Sequence, residues 1–229
     1  MSALTDSKTE KVAQVIRGIY QPEIRTLLVV GCGAGIEAAI LAQQLNAKVV
    51  GIDIENAFNE EALKFADLRT GDAMNLGFES DSFDFVFSYH ALEHIEDPAR
   101  ALREMHRVLK VGGGYWIGTP NKSRIIGYIG AKNTSFAQKV RWNLADWKAR
   151  LTGKFRNDLG AHAGFTSKEL FSLLSSVFPT VNDLTKTYFL AIYQNHRLMV
   201  DIISKSRLSR FVYPSVYFSG IKGTSINCH

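Results

Sequence analysis

Apolar residues in the first half of the chain follow two different patterns, continuous runs and helical spacing. Residues 27–30 and 48–54 are apolar runs typical of strands that are buried on both faces of a parallel sheet. Residues 36–45 instead carry apolar side chains at helical spacing. The same patterns predict further strands at 67–70, 83–88, 115–119, 181–193 and 211–221. They predict further helices at 8–20, 60–65, 134–151 and 195–206. Two more helices are predicted, one from residue 98 to the glycines at 112–114 and one that begins at residue 166.

Three glycines lie between the first predicted strand and its helix. Gly31, Gly33 and Gly35 occupy alternate positions, where glycine lets the backbone approach a ligand that any Cβ would hold away. Asp53 ends the next strand, and a carboxylate there can accept both ribose hydroxyls of an adenosine. Together the two features predict an adenosine-containing cofactor, which is either a dinucleotide or S-adenosylmethionine.

The spacing of the glycines favours S-adenosylmethionine. A dinucleotide fingerprint reads G-x-G-x-x-G and seats a pyrophosphate, whereas this turn reads G-x-G-x-G and is followed by Glu37 in the first helical turn. A ligand that carries an ammonium and a sulfonium suits that acidic turn better. Cys32, within the turn, is expected to serve as a small residue. An NAD-linked or non-catalytic nucleotide-binding protein on the same sheet is the alternative.

Alternating strands and helices predict an α/β architecture, and 229 residues with 46% hydrophobic content predict one globular domain. We expect the helix at 8–20 to cover the cofactor site, with Tyr20 or Arg17 near the ligand. The single domain, residues 1–229, divides into an N-terminal cap helix (1–26), a cofactor-binding core (27–121), a basic helical lid (122–160) and a C-terminal part of the sheet with an inserted helix (161–229).

Charge is distributed unevenly along the chain. Residues 1–120 hold 11 Lys and Arg against 17 Asp and Glu, while residues 121–229 hold 16 against 5. No apolar run is long enough to span a membrane, and the polar residues 1–10 do not resemble a signal peptide. The two cysteines, Cys32 and Cys228, form no disulfide framework, so we expect a cytoplasmic protein.

The positive charge is concentrated in residues 121–160, which hold nine Lys and Arg against Asp146 and Asp158. The helix at 134–151 carries an apolar stripe, and three interpretations of it stay open. It is a lid packed on the sheet with solvated charges, a peripheral contact with an anionic membrane through residues 122–156, or a site for an acidic substrate. No nucleic-acid-binding module is recognisable, so RNA is ranked last. The stripe consists of Phe136, Val140, Leu144, Trp147 and Leu151.

Four stretches, VVGCGAG, GIDI, GDAMNLGFESDSFDFVFSYHALEHIEDP and ALREMHRVLKVGGGYWIGTPN, resemble the successive motifs of class I S-adenosylmethionine-dependent methyltransferases. They cover residues 27–121, about half of the chain. The resemblance implies a Rossmann-like three-layer sandwich with a seven-stranded, mostly parallel sheet whose last strand is antiparallel. It also implies cofactor contacts at Gly31, Gly33, Asp53, Asp72, Ala73 and Ser88, and we extend this site to Cys32, Gly35, Ile54, Met74 and Tyr89.

Within that family, SYHALEHIEDP, TPNKS and GAHAGFTSKEL most resemble the ubiquinone-pathway O-methyltransferases. In those proteins the positions of His90, Glu93 and His94 are associated with a divalent metal, although an acidic residue stands where this chain has His90. On a helix the three side chains would point the same way. We predict no metal site. His90, Glu93 and His94 are the weak candidates for metal ligands.

Methyl transfer to a hydroxyl is helped by a base near the acceptor oxygen, and histidine suits that role at neutral pH. The candidates are His162, His90 and His94, and His162 is preferred because a capping box at Thr166 and Glu169 fixes its loop near the sheet edge. The sequence thus predicts an O-methyltransferase that uses S-adenosylmethionine and acts on a small-molecule or lipid-linked acceptor. RNA methylation is the enzymatic alternative.

Overall fold

The computed structural model describes residues 4–128, 134–159, 162–206 and 208–223, and its strands form one sheet. The strands are β1 (Thr26–Val30), β2 (Lys48–Asp53), β3 (Asp67–Thr70), β4 (Phe83–Tyr89), β5 (Leu109–Pro120), β6 (Asn182–Asp183) and β7 (Ser215–Ile221). Their order is β3-β2-β1-β4-β5-β7-β6, and β7 runs antiparallel to both of its neighbours while all other pairs are parallel. The predicted sheet is confirmed.

Helices cover both faces of the sheet. They are α1 (Ser7–Ile19), α2 (Ile36–Leu45), α3 (Pro98–Val108), α4 (Phe136–Leu151), α5 (Ser167–Ser175), α6 (Thr185–Ile192), α7 (Arg197–Lys205) and α8 (Ser209–Val212). Side chains of α1, α2 and α6 form one hydrophobic cluster with the sheet, and side chains of α3 and α5 form a second. Two helical layers around one sheet give the three-layer sandwich that the sequence predicts. In the described residues no helix is long and apolar enough to cross a bilayer.

Local capping signals explain where several helices begin. The Asp6 carboxylate accepts from the backbone N–H of Thr9 at 3.1 Å and starts α1. The Asp97 carboxylate accepts from Arg100 at 2.9 Å and starts α3. Thr166 and Glu169 form the predicted capping box of α5.

Two predictions in the middle of the chain are wrong. The glycines at 112–114 do not end a helix, because α3 stops at Val108 and the chain continues directly into β5, which contains all three. A Cβ on Gly114 would collide with the rings of Phe85 and Tyr20, so tight packing rather than helix termination accounts for that glycine. The helix predicted at 60–65 is only a short 3₁₀ turn over Ala62–Lys64.

The strand predicted at 181–193 is also wrong, since all but Asn182–Asp183 lies outside the sheet and α6 follows. The Asp183 carboxylate accepts from the Thr185 N–H at 2.8 Å, and the buried side chains of Thr185, Tyr188 and Phe189 have the spacing of one helical face. The proline within the strand predicted at 211–221 favours an edge position for that strand, and this expectation is wrong as well. Pro214 precedes β7, which lies between β5 and β6, so no ladder hydrogen bond is lost.

The helix predicted at 134–151 is confirmed with one difference in how it packs. α4 begins after Ser135, which forms a capping box with Gln138, and none of its residues is buried. Its apolar stripe therefore does not pack on the sheet as the lid interpretation requires. The sequence also predicts an apolar face of Leu198, Ile202 and Ile203 for the helix at 195–206. In α7 only Ile203 of these packs against the core, beside the buried Val200, while Leu198 and Ile202 are exposed.

Candidate active site

A groove of about 510 Å³ lies at the carboxyl ends of β1, β2 and β3. Asp53 forms its centre, because one carboxylate oxygen accepts the Gly33 N–H at 2.7 Å and the other accepts the Glu55 N–H at 3.1 Å. Gly33 has φ 51°, and a Cβ there would meet no protein atom within 4 Å. The turn thus leaves open space beside a fixed carboxylate, which fits the ribose of an adenosine-containing cofactor.

Most predicted cofactor residues line this groove. Asp72 follows β3 and its carboxylate accepts the Met74 N–H at 2.8 Å, so it forms a local turn and also faces the groove. The groove is further lined by Gly31, Ile54, Ala73 and Met74. Ser88, in contrast, is fully buried in β4, and Gly35 packs against Leu68.

A second cavity, of about 590 Å³, continues the groove on the other side of the glycine turn. It lies between the first turn of α1 and the first turn of α2, and Glu37 lines it together with Asp6, Lys8 and Tyr89. Burial raises the pKa of Glu37 to about 7. Cys32 also lines this cavity, and burial raises its thiol pKa to about 12, which agrees with its predicted role as a small residue.

α1 contributes its N-terminal end to the site, which corrects part of the expectation for this helix. The Tyr20 hydroxyl donates to the carbonyls of Gly112 at 3.2 Å and Asp84 at 3.3 Å. Those contacts lie at the amino end of β4, opposite the groove. Tyr20 is therefore not near the ligand, and Arg17 lies in the same last turn of the helix.

A third cavity, of about 490 Å³, opens beside β4, β5 and β7, and we call it the acceptor cavity because an acceptor is proposed to bind there. Three tyrosines form part of its wall. The Tyr89 hydroxyl lies 3.1 Å from that of Tyr188 and 3.4 Å from that of Tyr217, and the rings of Tyr188 and Tyr217 stack at 3.8 Å. Burial raises the pKa of all three phenols, so they stay neutral hydrogen-bonding groups at neutral pH.

The predicted histidines meet between the groove and the acceptor cavity, and His90 and His94 line both. His94 Nε2 lies 3.2 Å from His162 Nδ1, so one imidazole donates to the other. His90 Nε2 lies 3.3 Å from the Ser215 hydroxyl. Burial, and next the nearby His94, lower the pKa of His162.

The side chains of His90, Glu93 and His94 lie close together, but not because they share one face of an α-helix. His90 has φ 54° and precedes a 3₁₀ turn over Leu92–His94. Glu93 nevertheless lies between the two imidazoles, 3.7 Å from His90 Nδ1 and 3.9 Å from His94 Nε2. Its Oε2 is buried and has no hydrogen-bond partner in the described ranges. Within those ranges no group of three or more His, Cys, Asp and Glu is arranged to hold a metal ion.

Arg124 is a site residue that sequence reasoning missed. It is 5% exposed, and its guanidinium donates to the carbonyls of His162 at 2.9 Å and Ala163 at 3.1 Å and to the Asp146 carboxylate at 3.2 Å. A Cβ on Gly164 would overlap the Pro120 carbonyl, so the loop also packs directly on β5. The signal in the sequence is that Arg124 directly follows the TPNKS motif, although it enters the charge pattern only as one of the nine basic residues of 121–160.

Known proteins match this architecture. Residues 28–117 match the family model described as a methyltransferase domain. A ubiquinone biosynthesis O-methyltransferase of Pseudomonas paraeruginosa is 33% identical over 178 residues, 73% of each chain. A demethylmenaquinone methyltransferase of Staphylococcus epidermidis is 40% identical over 90 residues, 36% of this chain and 37% of that protein. Phosphoethanolamine N-methyltransferase 2 of Haemonchus contortus, solved with S-adenosyl-L-methionine, has a TM-score of 0.58 at 17% identity, covering 94% of this chain and 52% of its own.

These matches decide between the cofactor classes that the glycine turn leaves open. The open space at Gly33 and the carboxylate of Asp53 fit an adenosine, and the acidic first turn of α2 suits a cationic amino acid rather than a diphosphate. The enzyme therefore uses S-adenosylmethionine, and the chain belongs to the class I S-adenosylmethionine-dependent methyltransferase family.

Proposed function

We propose that this methyltransferase transfers its methyl group to a hydroxyl oxygen of a small-molecule or lipid-linked acceptor. The observation that carries the proposal is the His94–His162 pair, which stands where the cofactor groove meets the acceptor cavity. A hydroxyl must lose its proton as it is methylated, whereas an acceptor that is already an anion needs no base. The O-methyltransferase at 33% identity supports oxygen as the acceptor atom.

The cofactor is proposed to lie along the groove and the cavity beside α1. Each Asp53 oxygen already accepts one backbone N–H and has a second lone pair free to accept a ribose hydroxyl. The turn at Asp72, Ala73 and Met74 would border the adenine. Glu37, on the far side of the glycine turn, would hold the α-ammonium of the methionine moiety, whose charge would compensate the cost of burying the carboxylate.

Bound S-adenosylmethionine supplies a methyl group on a sulfonium, which becomes a thioether when the methyl moves to oxygen. His162 accepts the hydroxyl proton at Nε2, and its Nδ1–H then donates to His94 Nε2. The lowered pKa of His162 keeps this imidazole neutral, and hence basic, at pH 7. The tyrosines beside the cavity exclude water and orient the acceptor.

A peripheral contact with an anionic membrane through residues 122–156 belongs to the same proposal. This segment is strongly basic, and the apolar stripe of α4 is exposed rather than packed. The Pseudomonas paraeruginosa relative is named for ubiquinone biosynthesis, and an acceptor with an apolar tail suits such a surface.

The test uses methyl-labelled S-adenosylmethionine and three matched probes, an alkyl catechol, the corresponding alkyl aniline and the corresponding alkyl thiophenol. We expect label in the methyl ether of the catechol, and a loss of that product in His162→Ala with unchanged cofactor affinity. Transfer to the aniline or the thiophenol alone would contradict oxygen as the acceptor atom. Unchanged turnover in His162→Ala would contradict the assigned base.

A further inference from the structure

The molecule exposes two groups of large apolar side chains in its second half. The α4 patch comprises Phe136, Val140, Leu144, Trp147 and Leu151. The α7–α8 patch comprises Leu198, Met199, Ile202, Leu208 and Val212. Phe136 is 83% exposed, Leu151 90%, Leu198 75% and Ile202 61%, which is unusual for such side chains unless something else covers them.

Polar contacts hold α4 against the protein with its apolar stripe turned outward. The Asn143 side chain bonds to the backbone N–H and carbonyl of Gly127. The Asp146 carboxylate accepts from Arg124 and from the Tyr128 hydroxyl. The Arg150 guanidinium donates to the carbonyls of Lys122 and Arg124, each at 2.8 Å. A helix anchored through three polar residues leaves its hydrophobic side available to a partner.

The backbone at Ile125 connects the two patches. Its carbonyl accepts the Trp147 indole N–H at 2.7 Å, and its N–H donates to the Phe211 carbonyl at 2.9 Å. Ile125 and the neighbouring Ile126 are themselves more than half exposed. One residue thus contacts both α4 and α8, and its exposed side chain lies between the patches.

Positive charge accompanies both patches. Residues 121–160 carry a net charge of +7, from nine Lys and Arg against two Asp. Residues 197–212 carry +3, from four Lys and Arg against Asp201, and this aspartate is paired with Lys186 at 2.6 Å. Two copies of such a face would repel each other, whereas an anionic bilayer offers negative headgroups and an apolar interior.

We propose that the α4 patch, Ile125 and Ile126, and the α7–α8 patch form one surface that binds an anionic lipid bilayer. The inference rests on the proposed lipid-linked acceptor and extends the membrane contact from residues 122–156 to a second, separate segment. The acceptor cavity is lined by Tyr128, whose ring lies 5.1 Å from that of Trp142 in α4, and by Ile192 and Tyr193, which end α6 just before α7. If both patches bind the bilayer, the acceptor cavity lies between the membrane contact of the α4 patch and that of the α7–α8 patch.

The experiment is flotation of the full chain with vesicles of phosphatidylcholine alone or mixed equally with phosphatidylglycerol, at 50 and 300 mM salt. We expect flotation with the anionic vesicles and weaker flotation at the higher salt. Phe136→Ser/Leu151→Ser and Leu198→Ser/Ile202→Ser should each weaken binding at least tenfold. Leu63→Ser/Val111→Ser, which changes two exposed apolar residues of the cofactor-binding core (27–121), should float like the wild type. Melting curves and S-adenosylhomocysteine binding verify that each variant is folded.

The outcomes separate this inference from the function on which it rests. Wild-type flotation by Leu198→Ser/Ile202→Ser, with loss in the α4 variant, would overturn the two-patch surface and leave the contact through 122–156 intact. A stable dimer in light scattering that both patch variants abolish would assign the face to a second copy and overturn the inference. Absence of wild-type flotation would overturn the membrane contact altogether, while methylation of the soluble catechol probe would still test the chemistry.

Discussion

Two regions of this enzyme are organised by different kinds of interaction. The cofactor half is the groove around Asp53, and the acceptor half is the acceptor cavity with the loop of His162. Around Asp53, strand, turn and helix follow one another directly in the sequence, and the groove is built from neighbouring segments. Around His162, a loop is held by Arg124, the imidazole of His94 comes from the turn that follows β4, and the cavity wall includes tyrosines of α6 and β7. The cofactor groove is thus encoded locally, whereas the cavity that we propose for the acceptor depends on contacts between distant segments.

The largest effect is expected where the acceptor half depends on one buried side chain. Arg124→Ala removes the contacts that join Asp146, His162 and Ala163, and leaves the mostly buried Asp146 carboxylate without its ion-pair partner. We expect the free energy of unfolding to fall by about 3–5 kcal/mol. Urea denaturation measures the change. Arg103→Ala, which breaks an exposed pair with Asp97 at 4.0 Å, should change stability by no more than about 0.5 kcal/mol.

Turnover and cofactor affinity should separate at His162. His162→Ala should lower kcat on the catechol probe by about 10²–10³-fold, since a general base contributes that much, and leave the Kd of S-adenosylmethionine unchanged. Because the pKa of His162 is lowered, wild-type turnover should rise with pH through a midpoint below 6.5, and the variant should lack that rise. The exposed His196 supplies the control substitution. Equal losses in kcat and in affinity for S-adenosylmethionine would show that His162 has a structural role. They would also contradict the separation between the cofactor half and the acceptor half.

The converse substitution is Asp53→Ala in the cofactor half. Two lost hydrogen bonds from ribose hydroxyls to a carboxylate should weaken S-adenosylmethionine binding by about 10²-fold, measured by calorimetry. Asp67→Ala, at the amino end of β3, should bind the cofactor like the wild type. An unchanged Kd in Asp53→Ala would show that the ribose lies elsewhere.

The smallest effect is a pH-dependent one at Glu37. Its folded-state pKa, about 7, lies above the ordinary value of 4.5, so the folded protein holds a proton between these values that the unfolded chain has lost. Stability should therefore fall as pH rises through this window. Glu37→Gln should stabilise the cofactor-free protein by about 1–3 kcal/mol at pH 8 and by less at pH 5.

Urea denaturation at both pH values measures the effect of Glu37→Gln. Saturating S-adenosylmethionine should shrink the gain at pH 8, because its ammonium compensates the carboxylate. The exposed Glu60→Gln is the matched control and should be neutral. If Glu37→Gln raised the free energy of unfolding equally at both pH values, the side-chain packing of Glu37, and not its charge, would be what destabilises the protein.

Sequence reasoning was most accurate where structure is local. The helix at 36–45 and the edge strand at 67–70 have the predicted bounds, since hydrophobic periodicity and glycines act within a few residues. Most of the strand predicted at 181–193 is instead the helix α6, because the continuous apolar run at 188–193 can belong either to a buried strand or to a buried helix. The outward orientation of α4 could not be predicted, because it depends on Arg124 and Gly127, which precede it by many residues.

The candidate site shows the same limit. Asp53 and Asp72 were found from their positions after strands, and both line the groove. The approach of His94 to His162 requires two loops 68 residues apart to meet, and no spacing rule relates them. Glu93 was identified only as a possible ligand, although it packs between His90 and His94 without a helix that would have aligned them.

The position of β7 determines when this protein can finish folding during synthesis. In the part of the chain that the structure describes, β5 gains its second neighbour, and β6 its single neighbour, through pairing with residues 215–221. Until those residues leave the ribosome, the apolar strand β5 presents a long unpaired edge to other chains. The parallel pairs of β1 to β5 involve only residues before 121 and can form earlier, so we predict a nascent stage that binds S-adenosylmethionine before the proposed acceptor cavity is complete. Truncation before residue 215 would leave the protein at that stage, prone to aggregate along β5.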